Sequence, residues 1–371
     1  MAKKVLIFTK KVLPLSNTFV ASQALNLPSI EPVFIGFSKD KTGLSLIQGK
    51  NFFVLNDYQP LLFLARLALE KFSYVGKRWV ELLKTQQPIV LHAHFGKGGF
   101  YCAPFAKRLN IPLITTFHGS DITQDDKFSY NQAHRQIVFQ RSTKIIAVSK
   151  FVEKKLIEKG CLKEKIIQVY TGIDCEFFSA KQVKPSVPTV LFVGRLIKQK
   201  GCNYLLKAMK DITLKHPQVQ VVIAGDGIER KALEAMASIQ TNIKFVGAQT
   251  TEQIKDLMAK AWILCAPSIR MKRGNEEGLG MVFLESQAMG TPVISFDTGG
   301  VSEAVVDGKT GFLVDEKDTS ALIKKIELLL TNTELRNQFS ISAVEHIHKN
   351  FNIKQQSKKI ENIYLQTIQR V

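Results

Sequence analysis

The sequence has few of the features that mark membrane-spanning or secreted proteins. None of its apolar runs reaches the roughly 18 residues that a transmembrane helix needs. Its five cysteines are scattered, without a Cys-x-x-Cys pair, which argues against a disulfide framework or a zinc site and favours a reducing, cytoplasmic compartment. The first nine residues lack the long apolar core and the cleavage site of a signal peptide, and we expect them to form a buried strand.

The charge balance is positive and uneven. The 371 residues include 51 Lys and Arg against 32 Asp and Glu, a net charge of +19. Residues 1–185 hold 27 basic and 13 acidic residues, whereas residues 186–371 hold 24 and 19. Such an excess on one half predicts an anionic partner there, which could be a membrane, a nucleic acid or a substrate. A surface that is merely rich in lysine would give the same count, so the composition leaves both explanations open.

Short, nearly continuous runs of Val, Ile and Leu alternate with amphipathic helical patterns. Such runs are typical of parallel strands covered on both faces, and the alternation predicts a doubly wound α/β fold. The predicted strands are Lys4–Thr9, Pro32–Ile35, Ile89–His92, Leu113–Phe117, Lys144–Val148, Thr189–Val193, Val219–Ala224, Ile243–Val246, Ile263–Ala266 and Pro292–Ser295. A polar, proline-containing linker at 181–188 divides them. We expect two Rossmann-like domains facing across a cleft, residues 1–183 with a C-terminal helix at 354–371, and residues 184–353.

Open parallel sheets bind ligands beyond the carboxyl ends of their strands, so the residues just after each strand form the candidate site. In the second half, Gly194, Arg195 and Lys200 come after a predicted strand in a glycine turn, which is typical of a phosphate clamp. In the first half, His94 comes after one predicted strand and His118–Asp121 after the next. The alternative is that the cations are surface residues and that His118 is an ordinary turn residue.

The segment Glu277–Glu285 is the most informative in the chain. It predicts a glycine loop that enters a helix between two strands. The free N–H groups of the loop and helix N-terminus, with the positive end of the helix dipole, favour an anion. Two carboxylates beside such a site suit a ligand with a diphosphate and several hydroxyls, such as a nucleotide sugar. An ordinary loop before a surface glutamate would give the same pattern.

A set of motifs in a fixed order makes the chain resemble glycosyltransferase family 4. The motifs are His118–Asp121, Ala147–Ser149, Thr171–Asp174, Phe192–Leu196 with Lys200 and Gly201, Ala224–Gly227, Phe245–Gly247, Glu277–Glu285 and Asp307–Val314. The chain is most similar to members that build bacterial surface polysaccharides. The resemblance implies the GT-B architecture and a retaining hexosyltransferase, which moves a sugar from a UDP- or GDP-sugar to a glycan or lipid-linked acceptor.

The resemblance also assigns a role to each matching residue. Its catalytic residues would be His118, Arg195, Lys200 and Glu277, with the two cations stabilising the leaving diphosphate. The residues expected to bind the donor are Gly194, Phe245, Val246, Gly278, Leu279, Gly280, Met281, Val282, Phe283 and Glu285, the last through the ribose hydroxyls. The residues expected on the acceptor side are Ser16, Asn17, Thr18, His94 and Asp121.

The implied reaction uses neither a cofactor nor a metal ion. The sequence has no Asp-x-Asp motif for Mg²⁺ and no evident carboxylate nucleophile. The resemblance therefore implies front-face attack, with the leaving phosphate accepting the proton of the acceptor. The alternatives are a nucleotide-sugar epimerase or a glycan phosphorylase on the same architecture and, from the charge alone, a nucleic-acid-binding protein, although the sequence has no nucleic-acid-binding module.

The segment Leu61–Lys84 mixes leucines and aromatic residues with five basic residues. This composition is typical of an interfacial helix, and it predicts peripheral contact between a cytoplasmic enzyme and the anionic inner face of the plasma membrane. Helices packed on the sheet, with their leucines in the core, would have the same composition.

Overall fold

The computed structural model of the chain describes residues 2–12, 18–39, 47, 51–58, 62–124, 130–179 and 186–369. The chain divides into two compact units. The first comprises Met1–Gly172 together with Ile353–Val371, and the second comprises Ile173–Asn352. Both units are α/β folds built around a parallel sheet, and this confirms the predicted fold class.

Strands and helices alternate along most of the chain. The strands are β1 (Lys4–Phe8), β2 (Lys11–Val12), β3 (Glu31–Gly36), β4 (Ser38–Lys39), β5 (Phe52–Val54), β6 (Pro88–His94), β7 (Leu113–Phe117), β8 (Lys144–Ala147), β9 (Ile166–Gln168), β10 (Thr189–Val193), β11 (Gln220–Ala224), β12 (Ile243–Gly247), β13 (Ile263–Cys265), β14 (Val293–Phe296) and β15 (Gly311–Val314). The helices are α1 (Thr18–Leu25), α2 (Leu62–Phe72), α3 (Lys77–Lys84), α4 (Gly96–Leu109), α5 (Ser120–Thr123), α6 (Gln132–Arg141), α7 (Lys150–Glu158), α8 (Cys202–Lys215), α9 (Arg230–Met236), α10 (Thr251–Lys260), α11 (Met281–Ala288), α12 (Val301–Ala304), α13 (Thr319–Thr331), α14 (Thr333–Asn350) and α15 (Ile353–Ile368).

Each sheet reverses its strand order at one point. The first sheet has the order β5-β3-β1-β6-β7-β8-β9, and the second has the order β12-β11-β10-β13-β14-β15. The chain therefore winds outward from β1 or β10 in one direction and then returns to add β6 or β13 on the other side. In such sheets the crevice at the reversal point, outside the carboxyl ends of the strands, is where ligands bind.

Both faces of the first sheet are covered, which explains why its strands are apolar at successive positions. Leu6 and Phe8 of β1 lie in the cluster on one face, which also contains the fully buried Trp79 of α3. Val5 and Ile7 lie in the cluster on the opposite face, with residues from α1 and α15. The alternation results from the two-residue period of a strand.

The C-terminal helix α15 belongs to the first unit, in which the sequence also placed it. The Glu361 carboxylate accepts hydrogen bonds from the Ser29 N–H at 2.9 Å, the Ser29 hydroxyl at 2.7 Å and the Ile30 N–H at 3.1 Å. The Ser357 hydroxyl donates to the carbonyl oxygen of Gln23 at 2.8 Å. These bonds attach α15 to α1 and to the turn after it.

The boundary between the units differs from the predicted linker at 181–188. The Ile173 N–H donates to the Phe351 carbonyl at 2.7 Å, and Ile173 also pairs with Asn352. Farther along, the Lys255 ammonium lies 4.6 Å from the centre of the Phe177 ring. The segment from Ile173 onward is therefore part of the second unit. Polar composition alone does not reveal these contacts.

Candidate active site

The loops after β10 and β13 lie against each other at the reversal point of the second sheet. The Ile269 N–H donates to the Gln199 carbonyl at 2.8 Å, and the Asn275 amide donates to the Gln199 side chain at 2.7 Å. Gly201 has a φ of +66°, and a Cβ there would lie only 1.8 Å from the carbonyl oxygen of Pro267. Only glycine allows this approach, because any other side chain would push the two loops apart.

Lys200 and Glu277 form an ion pair that joins the same two loops. The Lys200 ammonium lies 2.5 Å from a carboxylate oxygen of Glu277, and their side chains are 18% and 15% exposed. A pair so shielded from solvent interacts more strongly than one on the surface. The pair holds a positive and a negative group side by side at the crevice.

Backbone packing fixes the loop from Glu277 to Gly280. The Gly300 N–H donates to the Glu277 carbonyl at 2.8 Å. A Cβ at Gly299 would lie 2.3 Å from that same carbonyl oxygen, and a Cβ at Gly300 would lie 2.1 Å from the Gly278 carbonyl oxygen. Because Gly299 and Gly300 have no side chains, the loop packs directly against their backbone. This contact fixes the path of the loop into α11.

The N-terminus of α11 presents free donors. Its N-cap is Gly280, whose φ is +84° and which supplies no side-chain cap. Within the described part of the chain, the N–H groups of Met281 and Val282 have no hydrogen-bond partner, whereas the Phe283 N–H donates to the Gly280 carbonyl at 3.0 Å. Two of the expected donors are thus available to an anion. Phe283 differs from these two residues, because its N–H is already used and its ring is buried in the core.

Glu285, in the second turn of α11, keeps an uncommitted carboxyl group. No hydrogen bond or ion pair reaches that carboxyl from any described residue. Its side chain retains some contact with solvent, yet the surrounding protein desolvates the carboxyl and raises its pKa to about 7. Hydroxyl groups of a ligand could satisfy these oxygens, because a desolvated carboxylate without donors is otherwise costly.

Arg195 lies on the first loop of this site, and its side chain is exposed. No described residue pairs with its guanidinium, in contrast to Lys200. The loop backbone is nevertheless fixed, because the Gly194 N–H donates to the Ala224 carbonyl at 3.0 Å and the Leu196 N–H donates to the Asp226 carbonyl at 2.8 Å. The turn is thus firmly held and presents a cation that no described residue pairs with.

In the first unit, three histidine rings stack at the carboxyl ends of β6 and β7. The His92 and His94 ring centres lie 4.4 Å apart, and those of His94 and His118 lie 5.3 Å apart with an angle of 24° between the planes. The Nδ1 of His94 lies 3.1 Å from the Nε2 of His118. Burial lowers the pKa of all three, that of His94 to about 3, so the column is uncharged at neutral pH.

Asp121 shapes the turn that carries His118. Its carboxylate accepts three backbone hydrogen bonds, from the N–H groups of His118 at 3.0 Å, Gly119 at 2.9 Å and Gly96 at 2.9 Å. Burial raises the pKa of Asp121 to about 6, although these three donors act in the opposite direction. The carboxylate is therefore committed to the backbone, and it holds the ends of β6 and β7 together.

The sequence and the architecture are similar to those of known proteins. The family model described as Glycosyl transferases group 1 matches residues 175–346, and the model described as Glycosyltransferase Family 4 matches residues 53–177. An uncharacterized glycosyltransferase of Methanocaldococcus jannaschii is 30% identical over 278 residues, which cover 74% of this chain and 74% of the relative. The chain belongs to glycosyltransferase family 4.

Other relatives of this family 4 glycosyltransferase agree. The amylovoran biosynthesis glycosyltransferase AmsK of Erwinia amylovora is 28% identical over 236 residues, which cover 62% of this chain and 58% of AmsK. The crystal structure of Anabaena HepE in complex with UDP and glucose superposes with a TM-score of 0.77 at 19% identity, over 98% of this chain and 99% of HepE. That likeness identifies the fold as GT-B, and the family favours a transferase over the epimerase alternative.

The remaining predicted residues of the glycosyltransferase lie farther from the reversal point or outside the described ranges. Phe245 and Val246 lie half-buried on edge strand β12, which is separated from β10 by β11. Thr18 is the first residue of α1, and Ser16 and Asn17 lie outside the described residues. In the described ranges, no group of three or more His, Cys, Asp or Glu side chains could hold a metal ion.

Sequence reasoning missed several residues that complete the two sites. Gln199 and Asn275 bridge the loops of the second unit, and Gly299 and Gly300 support the Glu277 loop. In the first unit, the Tyr364 hydroxyl lies 2.6 Å from the Nδ1 of His92. The paired glycines before a short helix were the one signal in the sequence that could have pointed to such a close approach.

Proposed function

We propose that this protein is a retaining, metal-independent hexosyltransferase. It moves a sugar from a UDP- or GDP-sugar to a glycan or lipid-linked acceptor in the synthesis of a bacterial surface polysaccharide. The observation that carries the proposal is the arrangement at the reversal point of the second sheet. Three segments lie there: the loop after β10, the loop after β13 and the start of α11. They carry the Arg195 guanidinium, the shielded pair of Lys200 and Glu277, two N–H groups and the Glu285 carboxyl. Among the described residues, the guanidinium, the two N–H groups and the Glu285 carboxyl have no partner.

This set of groups matches the parts of a nucleoside diphosphate sugar. Arg195 offers a bidentate fork and Lys200 a point charge to the diphosphate, which gains negative charge as it leaves. The free N–H groups at the start of α11 add two neutral donors for the same phosphates. The Glu285 carboxyl accepts hydrogen bonds from the ribose hydroxyls. Glu277 orients Lys200 through its ion pair and contacts the sugar.

The first unit supports retention without a covalent intermediate. The carboxylate that holds the His118 turn is that of Asp121, and its oxygens already accept three backbone N–H donors. Three of its roughly four lone-pair sites are thus filled by backbone donors that fix its orientation, which does not suit a nucleophile. We therefore propose front-face attack, in which the departing phosphate accepts the proton of the acceptor hydroxyl. The neutral His118 hydrogen-bonds a hydroxyl of the donor sugar.

The support for the proposed donor and pathway comes from similar proteins. HepE binds UDP and glucose in its crystal structure, which supports a uracil donor here. AmsK acts in amylovoran biosynthesis, which supports a role in an extracellular polysaccharide. Between the two bases we favour UDP over GDP on this ground.

A direct experiment combines binding and turnover. Isothermal titration with UDP and GDP measures base preference, and incubation with the preferred sugar donor and a membrane lipid extract measures release of the free nucleoside diphosphate. We expect saturable UDP binding, transfer of the sugar with retained anomeric configuration by NMR, and no change on addition of EDTA. Binding of neither nucleotide would contradict the proposal, and donor conversion to an isomer without release of diphosphate would identify an epimerase.

We also propose that α2, α3 and the loop between them, residues 62–84, contact an anionic membrane. Phe72 and Tyr74 are 76% and 55% exposed, and Leu64 is 55% exposed. The exposed Lys77 and Arg78 come shortly after them in the chain. In the described part of the chain no helix is long and apolar enough to cross a membrane. Apolar groups beside basic ones suit the headgroup region, where each basic residue contributes roughly 1 kcal/mol.

Sedimentation with vesicles of anionic lipid tests this contact. We expect the protein to pellet at low salt, to be released at high salt, and to bind at least about 10-fold more weakly when Lys77 and Arg78 are both replaced by Glu. The control replaces the exposed Lys154 and Lys163 of the same unit by Glu, which changes the net charge equally. Equal loss in both double variants, or no pelleting of the wild type, would rule out the proposed surface.

A further inference from the structure

One ring nitrogen of His118 is already occupied by another histidine. The Nδ1 of His94 lies 3.1 Å from the Nε2 of His118, and the two rings are within 24° of parallel. Two neutral imidazoles can share only one proton in such a bond, so one ring donates and the other accepts. The protonation of the second nitrogen of His118, Nδ1, is therefore coupled to the direction of this bond: when His94 donates, His118 carries its proton on Nδ1.

The use of that second nitrogen rests on the function proposed above. We propose that His94 is a positioning residue for sugar transfer: it holds His118 in one orientation and one neutral state, so that Nδ1 of His118 meets a hydroxyl of the donor sugar. His94 itself does not contact the reacting atoms. Its effect on catalysis passes through the hydrogen bond to His118.

The surroundings of His94 prevent it from turning away. Its ring lies against that of His92, both of whose nitrogens are bonded: Nδ1 to the Tyr364 hydroxyl at 2.6 Å and Nε2 to the Thr116 hydroxyl at 2.7 Å. His92 is thus locked by β7 on one side and by α15 on the other. A ring held between two neighbours is already ordered, so fixing His118 costs little conformational entropy.

Aromatic rings enclose the other side of His118. The Phe19 ring centre lies 4.9 Å from that of His118, and the Phe95 ring centre lies 4.6 Å from it. Phe95 adopts a φ of +66°, which is unfavourable for a residue with a side chain, and its N–H donates to the Thr116 carbonyl at 2.8 Å. The fold maintains this conformation beside His118, which is consistent with a site built to control one imidazole.

Burial keeps His118 uncharged, and four titratable groups lie around it. His94 and His92 face it from β6, the Asp121 carboxylate bonds its backbone N–H from α5, and the phenol of Tyr364 lies beyond His92. Burial lowers the pKa of His118, and the neighbouring His94 lowers it further. The hydrogen bond that His94 donates to Nε2 must also break before Nε2 can take a proton, so loss of this bond raises the pKa of His118.

Two substitutions of His94 separate the effect of its hydrogen bond from the effect of its aromatic ring. His94→Asn keeps a polar atom close to the position of Nδ1, and His94→Phe keeps an aromatic ring but cannot hydrogen-bond. We expect kcat to fall about 10-fold in His94→Phe and to recover largely in His94→Asn. Because UDP binds the second unit, its Kd should not change in either variant. Equal kcat values for the two variants would overturn the proposal.

The pH profile gives an independent readout that does not depend on how well the Phe variant packs. The acid limb of kcat should move to higher pH in His94→Phe, because His118 then protonates more easily, and it should move less in His94→Asn, which keeps a hydrogen-bond donor. A purely structural defect would scale the profile without moving that limb, and such a result would overturn the proposal. In the wild type, ¹⁵N NMR of labelled histidines should show His118 in a single neutral tautomer, and an equal mixture would contradict it.

A parallel measurement with His118→Ala distinguishes failure of the positioning role of His94 from failure of the role of His118 in the proposed function. If His118→Ala retains wild-type turnover, the role of His118 itself is wrong, and the role of His94 fails with it. If His118→Ala is inactive while His94→Phe has wild-type kcat and pH profile, only the positioning role of His94 fails.

Discussion

The two units offer opposite chemistry at corresponding places in their sheets. At the carboxyl ends of β10 and β13 the second unit presents charge: Arg195 unpaired among the described residues, Lys200 paired with Glu277, and the carboxyl of Glu285. At the carboxyl ends of β6 and β7 the first unit presents the uncharged rings of His94 and His118. The same architecture thus supplies charge in one unit and neutral hydrogen bonding in the other.

The difference results from burial. A guanidinium on an exposed turn keeps its hydration, whereas an imidazole enclosed by Phe19 and Phe95 would lose it on protonation. A charged site suits a phosphate group whose charge grows during the reaction. A neutral site can hydrogen-bond sugar hydroxyls without competing for that phosphate.

The largest expected effect comes from removing charge in the second unit. Arg195→Ala and Lys200→Ala should each lower turnover by about 100- to 1,000-fold, because the proposed mechanism uses these fixed cations to stabilise a leaving diphosphate. Steady-state kinetics with the donor sugar measure this. Lys198→Ala removes an exposed cation from the same turn and should leave turnover within about 2-fold. Near-wild-type activity of both Arg195→Ala and Lys200→Ala would mean that these two charges do not contribute to turnover.

The second prediction concerns the backbone that carries those charges. Gly201→Ala should lower the free energy of unfolding by about 3 kcal/mol, because the new Cβ would collide with the Pro267 carbonyl as well as strain φ. Gly308 has a φ of +68° with nothing within 4 Å, so Gly308→Ala isolates the cost of φ alone, about 1 kcal/mol. Urea unfolding of the two variants gives the difference. Equal losses of unfolding free energy in Gly201→Ala and Gly308→Ala would mean that the loops after β10 and β13 can move apart without a cost in stability.

The third prediction distinguishes the two carboxylates. Glu285→Gln should weaken UDP binding by about 10- to 100-fold, since a hydrogen bond to a charged group contributes roughly 1.5–3 kcal/mol. Glu277→Gln should mainly slow transfer, because it releases Lys200 from its partner. Calorimetry and single-turnover kinetics separate binding from chemistry. If Glu285→Gln binds UDP like the wild type, the carboxyl does not contact the ribose.

The smallest effect is on stability, and it depends on pH. Folding raises the pKa of Glu285 to about 7, above the ordinary value of 4.5, so ionisation favours the unfolded chain. The wild type should therefore lose stability as the pH rises from 4.5 to 7, and Glu285→Gln should be more stable by roughly 1–2 kcal/mol at pH 8. At pH 4 the two proteins should be equal in urea unfolding. A constant difference at every pH would contradict the raised pKa.

The interior strands of both sheets could be predicted from the sequence, but several edge strands could not. Leu113–Phe117 and Thr189–Val193 were predicted with their observed bounds, since buried strands are continuously apolar. The edge strands β5, β9 and β15 have three or four residues each, and they were missed. Such short strands are defined by the partner they pair with, and that partner is not visible in a local pattern.

The candidate site also has features that the sequence could predict and features that it could not. Placing polar residues after strands selected Arg195, Lys200 and His118 as candidates, because parallel strands bring their carboxyl ends to one edge. The sequence could not reveal that Lys200 pairs with Glu277 or that His92 meets Tyr364. These contacts join residues 77 and 272 positions apart. Only the tertiary fold sets such distances, whereas a motif describes the residues next to a single strand.

The position of α15 in the first unit has a consequence for the order in which the chain can fold. The second unit, Ile173–Asn352, is continuous and is synthesised in full before α15 leaves the ribosome. The first unit begins to emerge earlier, but Ile360, Ile363 and Tyr364 complete one of its two cores. Until the second unit has been made, one apolar face of the nascent sheet is therefore covered by α1 but not by α15, and transiently exposed apolar surface of this kind favours aggregation.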